Sequence, residues 1–81
     1  MNEQLTAEQI QQHYNAALDS VSLINDIIAG KQMVDADAKD KKDWVERNVG
    51  HLGIMVAKDF WQGQNMAPLN SAITAGKAYL G

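Results

Sequence analysis

Apolar residues recur along this chain in steps of three and four. From residue 10 they fall at Ile10, Tyr14, Ala17, Val21, Ile24 and Ile28, with steps of 4, 3, 4, 3 and 4. This 3.5-residue period is the seam of a helix packed nearly antiparallel on another. A second stripe, Ala16, Leu23 and Ile27, lies beside it, so the apolar face is wider than one partner helix covers. The start of this helix is written in "LTAEQI". Thr6 and Gln9 stand at capping-box spacing, with Leu5 and Ile10 at the staple positions and Glu8 in the first turn. Gly30 suits the left-handed position just past a helix end. The pattern predicts a helix over about 7–29.

The second helix is expected over about 37–60. Asp35 or Asp37 is the expected N-cap. Asp37 with Lys41 and Asp43 with Arg47 are spaced as favourable i,i+4 ion pairs. Its core stripe reads Lys41 or Lys42 (by the aliphatic stem), Val45, Val49, Leu52 and Val56. Trp44, His51 and Met55 form a neighbouring stripe, and the pattern leaves open which of the two is buried. The helix is expected to end between Lys58 and Trp61, before Gly63. A third, shorter helix is expected over about 66–80, with Asn65 as cap, Pro68 in the first turn, and a stripe of Met66, Leu69, Ile73, Gly76 and Leu80. No segment alternates as a strand does. The prediction is all-α: residues 1–81 as one helical domain, a long antiparallel hairpin with a third helix packed back across it.

Composition narrows the function. A chain of 81 residues buries only about 60–65 % of its unfolded surface, so its core is thin. There is no cysteine, which excludes disulfides and thiolate-ligated zinc and leaves helix packing or self-association as the means of support. The net charge is −3. The segment from Lys31 to Arg47 is charge-dense but balanced, and no basic stripe exists to neutralise phosphates. A helix-turn-helix reader would need a basic recognition face, and the third helix offers only Lys77. The polar, acidic N-terminus is not a signal peptide, and the run Val21 to Ala29 is interrupted by Asn25 and Asp26. The expectation is a soluble protein of the cytoplasm or of a virion, with no nucleic acid and no membrane as partner.

Candidate chemistry is sparse. In "DADAKDKKDWVE", Asp35, Asp37 and Glu46 match positions 1, 3 and 12 of a calcium loop. Lys39 stands where an oxygen ligand is needed and Asp40 where the turn needs glycine. His13 and His51 are the only histidines and lie on different helices, so no metal site is expected. Ser20, Ser22 and Ser71 lack a nucleophile elbow, and there is no phosphate-cradling glycine loop. No enzyme activity and no cofactor are expected.

The stretch "VGHLGIMVAKDFWQG" is the most distinctive. Gly50 and Gly53 each cost a helix interior about 1 kcal/mol relative to alanine, and the packing reading is that they admit a second helix close beside His51 and Leu52. Phe60 and Trp61 are adjacent and point about 100° apart on any helix. Either one closes the end of the bundle and the other covers the turn, or one is an exposed interface anchor. Trp44, His51, Met55, Phe60 and Trp61 are therefore the candidate protein-interface residues.

The segments "ERNVGHLGIMVAKDFW" and "MAPLNSAITAGKAYLG" resemble small uncharacterised proteins of marine tailed phages, including phages of cyanobacteria. The resemblance runs from about Val45 to the C-terminus and rests on "RNVGHL", "KDFW" and "ITAGKAY". It implies a phage or environmental source and a role in the virion or infected host cell, and it brings no activity. Together these readings predict a non-catalytic structural or interaction protein that forms a homo-oligomer, a dimer above all, by burying surplus surface of helices 1 and 2. The alternative is a regulator that binds a host protein through an exposed aromatic edge.

Overall fold

The computed structural model describes residues 5–61 and 63–81. Three helices account for the regular structure among them: α1 (Ala7–Ile28), α2 (Ala38–Val56) and α3 (Ala67–Leu80). Each packs on both of the others. The start of α1 lies beside the residues that leave α2 and the residues that enter α3, so α1 and α2 run antiparallel and α3 returns alongside α1.

The ends are set by local chemistry. The capping box of α1 is complete: the Gln9 amide donates to Thr6 Oγ1 at 3.1 Å, and the Thr6 amide donates to Gln9 Oε1 at 2.9 Å. At its other end Ala29 is the C-cap and Gly30 takes φ +76°. The Lys31 amide then reaches Asp26 O and the Gly30 amide reaches Ile27 O, the paired bonds of a Schellman turn. Asp37, rather than Asp35, caps α2, accepting from the Asp40 amide at 2.8 Å. Met66 holds the cap position of α3, while the adjacent Asn65 side chain accepts from the Ala67 amide at 3.1 Å.

The core is a cluster that includes Tyr14, Ala17, Val21, Ile24 and Ile27 of α1, Val45, Val49 and Leu52 of α2, and Leu69 and Ala72 of α3. Both stripes of α1 are used in part, Ala16 of the second being exposed. Leu23 packs against the core and Ile27 is buried, whereas Ile28, expected in the seam, is 39 % exposed. The reason is that α1 faces a groove between two helices rather than a single partner, so the buried sector shifts toward the second stripe at its last turn. The wide face of α1 is thus shared between α2 and α3. In α2 the Val45 stripe faces inward and Lys41 is half-buried beside it, while Trp44 and His51 are exposed and Met55 is buried.

Three expectations are corrected. First, α2 ends at Val56 rather than near residue 60. Met55 O, which a continuing helix would pair with the Asp59 amide, instead accepts from the Lys58 amide at 3.1 Å and from the Trp61 indole Nε1 at 2.8 Å. Second, no helix of the same chain lies against Gly50 or Gly53: a Cβ built on either meets nothing within 4 Å. The close approach is at Gly76, where a Cβ would overlap Val49 Cγ2 and lie 3.4 Å from Val45 Cγ1 and 3.6 Å from Ile24 Cγ2. An indole has no room on the α2 face that meets a bare glycine, which is the steric reason that the valines, not Trp44, face inward. Third, the Asp37–Lys41 and Asp43–Arg47 pairs are not formed. Asp43 pairs instead with Lys39 at 2.9 Å, and this exposed contact holds the Lys39 ammonium above the usual lysine range, through its hydrogen bond to Asp43 first and their charge attraction second.

Candidate protein-interaction surface

The expected interface residues separate into two groups. Phe60 and Trp61 lie at the end of the bundle where α2 passes to α3. Their rings sit 4.6 Å apart, centroid to centroid. Trp61 meets Tyr14 edge-on at 6.1 Å and packs against the core, while Phe60 lies against His13 at 5.5 Å. Tyr14 donates its hydroxyl to Asn65 O at 2.5 Å, which fastens α1 to the segment entering α3. Both polar handles of these large rings, the Tyr14 hydroxyl and the Trp61 indole N–H, are spent on backbone carbonyls. Edge-to-face contact adds to the area that the rings bury. This end cluster is a clasp across the chain ends of all three helices. His13 takes part in it as a stacking surface, a role not legible from its lone position in α1.

Trp44 and His51 lie elsewhere, on the outward face of α2. Trp44 is 42 % exposed and Arg47 stacks over its ring at 5.0 Å. One turn beyond His51, Ile54 is 62 % exposed. Ile54 was not singled out in the sequence, although its spacing from Trp44, His51 and Arg47 places it on their face. Met55, the other expected interface residue, points inward and belongs to the buried set. The remaining large apolar exposure is at Val34, in the α1–α2 turn, and at Ile28.

Among the described residues no group of three His, Asp or Glu side chains is arranged to hold a metal ion. The "DADAKDKKDWVE" segment is helical from Ala38 onward, so its carboxylates project around a helix instead of converging as a loop would require. An open depression lies on the outer face of α3, lined by Asn70, Ser71, Thr74, Ala75 and Ala78, none of them charged. No described helix is long and apolar enough to cross a membrane. Against known proteins, the chain matches no family model, no curated protein and no solved structure.

Proposed function

We propose that this protein is a non-catalytic structural or protein-interaction module that self-associates through its helices. The observation that carries this reading is the exposure of large apolar side chains, Trp44 and Ile54, on one helix of a small domain in which Tyr14 is buried and Trp61 and Tyr79 pack against the core. Buried apolar area is the main driving force of association, and tryptophan is enriched at the centre of protein interfaces. The resemblance of residues 45–81 to marine phage proteins supports a virion-associated or accessory role. A regulator that docks on a host protein is the second reading, and the exposed rings direct it to the Trp44 face instead of the Phe60–Trp61 end.

The test is solution mass by light scattering across a concentration series, with tryptophan emission recorded alongside. A mass that rises toward the dimer as emission shifts to the blue supports self-association. A monomer at every concentration, with unchanged emission, overturns it and makes a different protein the expected partner.

A further inference from the structure

The outward face of α2 carries a palindrome. Asp40, Trp44, Arg47, His51, Ile54 and Lys58 follow one another in steps of 4, 3, 4, 3 and 4 and are all exposed. At about 100° per residue they fall within a sector of about 80°. Lys58 lies two residues past the helix end; Ala57 keeps right-handed angles (φ −77°, ψ −13°), and the Lys58 amide still reaches back to Met55 O at 3.1 Å. Reading the six residues backward pairs opposite characters: acid with base at the two ends, indole with isoleucine inside them, guanidinium with imidazole at the centre.

We propose that two copies of this chain pair antiparallel along α2 about a two-fold axis at the level of residue 49, on the side of α2 away from the Val49 side chain, with Asp40 of each opposite Lys58 of the other and Trp44 opposite Ile54. This deepens the self-association reading above and rests on it. Three observations support it. The 4-3-4-3-4 spacing is that of a coiled-coil seam, here on a face that no helix of the same chain covers. The antiparallel register sets opposite charges, Asp40 and Lys58, against each other at both ends, as an isologous contact requires of a self-complementary surface. Gly50, flanked on the helix surface by Arg47 and Ile54, presents bare backbone with nothing near it, which lets a second helix come close. The central pair sets the Arg47 guanidinium opposite the His51 ring. Asp43 and Glu46 flank the seam on its outer side and add negative charge near Arg47. A single helix face offers less than the ~800 Å² per partner of a standard stable interface, so the dimer is weak and concentration-dependent.

The register is tested by cross-linking in the full-length chain. The protein has no cysteine, so Asp40→Cys with Lys58→Cys introduces the only two thiols. Within one chain they lie about 27 Å apart along α2, too far for an internal disulfide. Oxidation is expected to give covalent dimer in several-fold excess over either single cysteine variant. In parallel, Ile54→Glu, at an exposed position that leaves the fold and its circular dichroism unchanged, is expected to raise the dimer dissociation constant by about tenfold or more in sedimentation equilibrium. A dimer whose dissociation constant is unchanged by Ile54→Glu, or a double-cysteine variant that gives no 40–58 cross-link, overturns this pairing and leaves self-association standing. A wild-type chain that stays monomeric throughout overturns both.

Discussion

Gly76 lies against Val49, with the α3 backbone so near α2 that a single added methyl would overlap the valine Cγ2. Val49 is β-branched and stiff at χ1, so it cannot swing aside. Gly76→Ala is therefore expected to destabilise the protein by about 1–3 kcal/mol, against the usual preference for alanine in a helix. In a domain of this size each kcal/mol lowers Tm by roughly 4–8 °C, which thermal unfolding followed by circular dichroism resolves. An unchanged or higher Tm would show that α3 does not sit this close.

Gly53 should behave in the opposite way. It stands within α2 with open space where a Cβ would go. Gly53→Ala is expected to raise stability by about 0.5–1 kcal/mol, since alanine loses less backbone entropy on folding and meets no obstacle. Chemical denaturation of the two glycine variants side by side checks the contrast in sign.

Tyr14→Phe removes only the hydroxyl that reaches Asn65 O across 51 positions of sequence. The ring keeps its place against Trp61, so the loss isolates the hydrogen bond. About 1 kcal/mol is expected, measured as a lower urea midpoint with unchanged slope. Amide exchange in the segment entering α3 should quicken in the same variant, because the clasp holds that segment to α1.

Thr6→Ala removes the bond from the Gln9 amide to Thr6 Oγ1 and leaves the residue 6 amide able to donate to Gln9 Oε1. The expected cost is about 1 kcal/mol, and Thr6→Ser should recover most of it because the hydroxyl is what the Gln9 amide needs. The urea midpoints of the two variants decide this.

The two tryptophans should report separately. Trp61 is partly buried and its N–H is bound to Met55 O, whereas Trp44 is 42 % exposed. In Trp44→Phe the remaining emission is expected to be blue-shifted and poorly quenched by acrylamide. In Trp61→Phe it is expected to be red-shifted and readily quenched at low concentration, moving to the blue as α2 faces pair.

Much of this fold is legible in the sequence by local chemistry. Thr6 and Gln9 start α1, Gly30 stops it and one of Asp35 and Asp37 starts α2, because capping and turn geometry depend on residues only a few positions apart. The 3.5-residue period gave the helices and the hairpin for the same reason. What the sequence by itself left open is rotation and contact. It offered two faces for α2, and only the approach of Gly76 to Val49 turns the valines inward and leaves Trp44 and His51 outside. It marked Gly50 and Gly53 as the close contact, because a glycine in a helix has the same local signature wherever its partner lies. It extended α2 through Phe60, because nothing nearby in sequence shows that the Trp61 indole takes the Met55 carbonyl and ends the helix. Those outcomes depend on which surfaces meet across the bundle, and that is settled only when three helices compete for one small core.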